Sequence, residues 1–174
     1  MKNRILSASQ ARRATALALA LSCALAALLL VQTRSARAAG WNSIEPLKSR
    51  RADVERILGR PLEDHPGQTG TLRFKVMGGI VTVTFVNARF IANKKLYPEL
   101  EGTVLEIVLQ HERSSETPET MSLTKNKDFT RQDMQGGSIF INQKDGITYT
   151  FLDGRLRTTR FSPAAEQLVR ARKG

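Results

Sequence analysis

The chain has 174 residues, 41% of them hydrophobic, with a formal net charge of +11 and one cysteine. That length suits one domain with an appendage, and a single cysteine excludes an internal disulfide framework. A balance this basic normally raises nucleic acid or an anionic membrane as partner.

Residues 1–38 distort both figures. Lys2, Arg4, Arg12 and Arg13 open the chain without an acid, and Ala14–Val31 follows as 18 uncharged residues, mostly Ala and Leu. Ala36-Arg37-Ala38 then puts small residues at the two positions a signal peptidase reads. This order describes a secretory signal peptide, residues 1–38, cleaved after Ala38. Eighteen apolar residues also reach the lower limit for a membrane span, so a retained anchor is the alternative. Either way the positive-inside rule sends the remainder out of the cytoplasm, to the periplasm or the medium. Twin-arginine export through Arg12-Arg13 and lipidation at Cys23 fit less well, because Thr15 and Ala20 stand where those signals want an apolar residue and a leucine. Six of the 27 basic residues and none of the 16 acidic ones lie in the leader, so residues 39–174 carry a net +5 and no cysteine. Such an exported domain has no disulfide and relies on its core. At this size a single α+β domain over residues 39–174 buries enough surface to do so.

Ser49 is placed to cap a helix over residues 50–58, with Val54, Ile57 and Leu58 on one face, Gly59 to end it and Pro61 to prevent its resumption. Residues 62–71 read as a loop. A hairpin turning at Gly78-Gly79 then places Val76 opposite Val81, Phe74 opposite Val83 and Leu72 opposite Phe85, with Arg73 and Lys75 on the polar face. Thr103–Gln110 is a strand with Leu105, Ile107 and Leu109 on one face; Val104 and Val108 on the other suggest a central position. Residues 86–102 and 111–137 are less regular, and Ser138–Asn142 is a short strand. A second hairpin turns at Asp153-Gly154, pairing Leu152 with Arg155, Phe151 with Leu156, Thr150 with Arg157 and Tyr149 with Thr158. Ser162 and Pro163 precede a terminal helical stripe of Ala165, Leu168 and Val169. The class is α+β: an antiparallel sheet of five or six strands with short helices at both ends.

Residues able to carry chemistry are few. His65 and His111 are the only histidines, and neither sits at metal-ligand spacing. No nucleotide-binding or nucleophile-elbow motif is present, and no cofactor is implied. Ser114-Ser115 lacks an identifiable base. Glu99 and Glu101 are the carboxylate pair that an extracellular hydrolase would use, if they face one cleft with a histidine. Asp53 and Glu55 are most simply favourable charges near a helix N-terminus. Arg155 and Arg157, with Arg170, Arg172 and Lys173, are candidate contacts for anionic lipid or a cell-wall polymer; the alternative is a solvated strand face and cations at a helix C-terminus. Export, modest charge and the lack of a recognised module disfavour nucleic acid. Membrane association is expected only through the leader or weakly at the surface. Trp41, the sole tryptophan, either tucks the chain start against the domain or faces a partner.

The run Trp41-Asn42-Ser43-Ile44-Glu45-Pro46-Leu47-Lys48-Ser49, continued by Arg51-Ala52-Asp53-Val54-Glu55 and Leu58-Gly59, resembles a group of small secreted bacterial proteins of unknown function that open with W-x-x-I-x-P-L-x-S-x-R-A-D-V-E-x-x-L-G. Gly102-Thr103-Val104, Gly146-Ile147-Thr148-Tyr149 and Phe161-Ser162-Pro163 match their later strands, whereas the cysteine in the middle of that group is missing. More distantly, Ser49–Pro61 is similar to the helix-then-glycine opening of SmpA/OmlA-type envelope lipoproteins, a layout shared with β-lactamase-inhibitor proteins. The resemblance implies a small non-catalytic binding or scaffold module of the cell envelope, and it transfers no site residue.

Overall fold

The computed structural model describes residues 39–65 and 70–173; the leader and its cleavage position Ala38 lie outside them. Trp41 and Ile44 exchange backbone hydrogen bonds of 3.0 and 2.9 Å, a tight turn that carries Ile44 into the core. Helix α1 spans Arg51–Leu58. Ser49 does not cap it: its hydroxyl accepts from the Glu45 N–H at 2.9 Å, and its carbonyl accepts from the Val104 N–H at 2.7 Å. Those bonds hold Ser49 in the approach, so Arg50 becomes the N-cap and its N–H donates to the Asp53 carboxylate at 3.0 Å. Gly59 ends the helix at φ +81°, ψ −150°, a region essentially restricted to glycine. Val54 is buried, and Ile57 and Leu58 pack beside it.

Eight strands follow: β1 (Glu63–His65), β2 (Thr71–Val76), β3 (Gly79–Phe85), β4 (Val104–His111), β5 (Thr130–Met134), β6 (Gly137–Asn142), β7 (Ile147–Leu152) and β8 (Arg155–Phe161). Helix α2 (Ala88–Lys94) lies between β3 and β4, and α3 (Ala165–Arg170) follows β8. One antiparallel sheet results, in the order β1-β2-β3-β4-β8-β7-β6-β5. Two four-stranded meanders thus meet side by side at β4 and β8. The two strands beyond the expected six are the edges, β1 and β5. Neither has an apolar face, because an edge strand exposed on both sides needs none. Among the described residues no helix is long and apolar enough to cross a membrane.

Both hairpins form, with altered registers. The first turns at Met77-Gly78, so Phe74 pairs with Val81 and Leu72 with Val83, two residues away from the expected partners. Gly79 belongs to the strand because β4 crowds it: a Cβ there would sit 1.9 Å from the Gln110 carbonyl oxygen. A two-residue shift keeps every side chain on its face, so the apolar ribbon survives. The second hairpin turns at Asp153-Gly154, both at positive φ, and pairs Leu152 with Arg155 and Phe151 with Leu156 as expected. A bulge at Arg157 then sets Thr150 opposite Thr158 and Tyr149 opposite Thr159. A similar bulge at Leu105 brings Val104, rather than Leu105, onto the face of Ile107 and Leu109.

Two hydrophobic clusters lie along the sheet. The larger joins Ile44 and Val54 to Leu72, Phe74, Val81, Val83, Phe85, Val104, Ile107 and Phe161. The smaller comprises Leu123, Phe140, Phe151 and Leu156, with Met121, Phe129 and Tyr149 against them. Ser162 does not cap α3 either; its hydroxyl donates to the Gly146 carbonyl, while Gln167 caps by accepting from the Ala164 N–H at 3.0 Å.

Candidate functional site

The residues considered for catalysis do not converge. Glu99 and Glu101 lie on or just after the exposed 3-10 turn Pro98–Leu100. Their backbone carbonyls accept from the Arg50 guanidinium at 2.8 and 3.1 Å, so this turn is pinned to the start of α1. His111 ends β4, at the other end from Glu101, about 23 Å away along the strand. Its Nε2 lies 2.9 Å from the Thr159 hydroxyl, and burial pushes its pKa below the ordinary value. His65 pairs with Thr71 on the sheet edge, with two strands between β1 and β4. Ser114 lines the same groove of about 200 Å³ as His111 and Trp41, but its hydroxyl accepts from the Glu116 N–H at 3.1 Å. Trp41 is half-buried against the larger cluster, which fits the tucking role. Among the described residues no three His, Cys, Asp or Glu side chains converge as metal ligands.

The basic candidates separate into two places. Arg155 stands at the β7–β8 turn and donates to the Ser115 carbonyl at 2.6 Å. Arg157 occupies the bulge and is half-buried. The bulge makes Arg160 the cation that follows Arg155 on the open face, where it lies 3.5 Å from Glu106. Arg170, Arg172 and Lys173 come after the far end of β8, a strand about 20 Å long that starts at Arg155.

Backbone hydrogen bonds splice this tail onto the segment after α2. Tyr97 N–H donates to the Ala171 carbonyl at 3.0 Å, Lys173 N–H donates to the Lys95 carbonyl at 2.8 Å, and Leu96 and Arg172 form an antiparallel bridge. Asn87 starts α2 by accepting from the Phe90 N–H at 2.9 Å, and Lys95 stops it in the left-handed region at φ +53°. The splice therefore sets Lys94 and Lys95 beside Arg172 and Lys173. All four are exposed, and none pairs with an acid among the described residues. Arg170 is partnered by Glu166 at 3.2 Å. Tyr97 is 42% exposed and Val169 65%, and a shallow groove of about 290 Å³ runs between Tyr97, Glu99, Leu100 and Arg170. The sequence signal for Lys94-Lys95 was present, but nothing local linked it to a tail more than 75 residues later.

The described residues define a single-sheet α+β domain with a basic surface where its tail meets the segment after α2. No family model matches the chain, and no curated protein does. Among solved structures it is similar to a DUF4309 family protein (YjgB) from Bacillus subtilis subsp. subtilis str. 168. The two are 13% identical with a TM-score of 0.47, over 69% of this chain and 82% of that one.

Proposed function

We propose that this chain is exported by residues 1–38 and acts in the cell envelope as a non-catalytic binding module. Its contact surface is the splice of Lys94, Lys95, Arg172 and Lys173, flanked by Tyr97 and Val169. The observation that carries this reading is the gathering of four exposed cations from two distant segments without an acid among them. Cations beside an exposed aromatic and an exposed aliphatic side chain suit the interface of an anionic membrane, where charge meets headgroups and the apolar groups enter the boundary. Cosedimentation of the exported protein with phosphatidylglycerol-containing vesicles tests it. Binding is expected to fall as salt rises, since the Debye length shrinks from about 10 Å at 0.1 M to about 3 Å at 1 M. It is expected to be absent from pure phosphatidylcholine and lost in Lys94→Glu/Lys95→Glu. Equal retention on both vesicle types contradicts the proposal, as does binding to a soluble anionic wall polymer in preference to vesicles.

A further inference from the structure

The two edges of the sheet differ. β1 is three residues long and follows Pro61 closely, whereas β5 is five residues long, has neither proline nor lysine, and is exposed throughout. Lysine and proline are usual protections of an edge. β5 lacks both.

The hydrogen-bonding phase of β5 follows from its hairpin. Met134 and Gly137 close the two-residue turn Gln135-Gly136, and a pair at that place must exchange backbone hydrogen bonds. Alternation then directs the N–H and C=O groups of Thr130, Gln132 and Met134 towards β6. Those of Arg131 and Asp133 point outward, where no further strand pairs among the described residues.

An antiparallel partner must therefore place Arg131 and Asp133 in hydrogen-bonded pairs. Three two-fold registers do so. Centring on Arg131 opposes two arginines, and centring on Asp133 opposes two aspartates. Centring on Gln132 opposes Arg131 to the second strand's Asp133 twice, forms four backbone hydrogen bonds, and brings two Gln132 side chains together. Arg131 and Asp133 already lie on one face, with Arg131 Nε 2.8 Å from the Asp133 carboxylate and the guanidinium over the Phe140 ring at 5.9 Å. A second copy would complete an alternating quartet of charges.

We infer that β5 is a homodimerisation edge, pairing with β5 of a second copy about a two-fold axis through Gln132 to make a continuous sixteen-stranded sheet, twice the eight strands of one chain. So short an edge buries less than the about 1,200 Å² of a standard interface, so the dimer is reversible and concentration-dependent.

Sedimentation velocity of the exported full chain at about 10–500 μM tests this. The unsubstituted protein should pass from monomer to dimer across that range. R131D and D133R should each weaken association about tenfold by opposing like charges, and the double variant R131D/D133R should restore it. Thermal melts of the same samples identify any variant that fails to fold, and restoration in the double variant distinguishes charge pairing from damage. Q132C adds a direct readout. Residues in a pair without mutual hydrogen bonds lie about 4.5 Å apart at Cα, within disulfide range, so a covalent dimer should form on oxidation. The unsubstituted protein, whose residues 39–174 carry no cysteine, sets the background. A monomer throughout the range overturns the inference, as do single reversals that leave association unchanged, a double variant that stays monomeric, or Q132C that fails to cross-link.

Discussion

The two meanders contain four strands each, yet they are held by different means. The inner face of β2–β4, joined by Phe161 at the end of β8, is sealed by residues 39–58, and ten residues of that cluster are buried. The inner face of β6–β8 is covered by a loop that contributes Leu123, Met121 and Phe129, and only four residues of its cluster are buried. The loop is tied down by two long-range bonds, Leu156 N–H to the Glu116 carbonyl at 3.0 Å and Arg155 to the Ser115 carbonyl at 2.6 Å. Pairing in a continuous sheet does not equalise stability. What covers each face sets it: the first meander anchors the fold and the second supplies the open edge.

The largest expected effects compare the clusters directly. Phe74→Ala should cost about 4–5 kcal/mol, because α1 and Ile44 prevent the cavity from collapsing, whereas Phe151→Ala should cost nearer to about 3 kcal/mol, because the loop can settle. Urea unfolding of both variants checks the order, and equal losses would remove the distinction. Gly79→Ala should cost about 2–3 kcal/mol, since its Cβ would drive β3 from β4 at the Gln110 carbonyl. The same urea series measures it.

A pH effect comes next. Burial favours the neutral form of His111 and pushes its folded pKa below the ordinary 6.5. The unfolded chain therefore takes up the proton first as pH falls. Stability from this group is complete above about pH 6.5 and declines below it until the folded histidine also protonates. Melting temperatures across about pH 7.5 to 5 should fall less steeply in His111→Gln than in the unsubstituted protein; parallel profiles would exclude the histidine. The smallest effect is Arg155→Ala, an exposed side chain with one hydrogen bond, at about 0.5 kcal/mol.

Alternation in Leu72–Val76 and Val81–Phe85 was enough to show the first hairpin and its buried face, but a register two residues away buries the same side chains. Crowding of Gly79 by β4 decided it, and that contact joins residues 31 apart. The bulges at Leu105 and Arg157 were invisible for a related reason: each is an extra residue defined only against its partner strand. β1 and β5 carry no apolar period because neither face is covered. The five basic residues read from the C-terminal region included half of the proposed surface, Arg172 and Lys173. The other half, Lys94 and Lys95, became legible only through the backbone splice.

Native-state hydrogen exchange tests the unequal division of the sheet most directly. Amides of Phe74, Val83 and Ile107 should exchange only through global unfolding, while those at the β5–β6 pairing, such as Ile139 and Ile141, should open at markedly lower free energy. Uniform protection across both meanders, or stronger protection in β5–β6, would contradict the account.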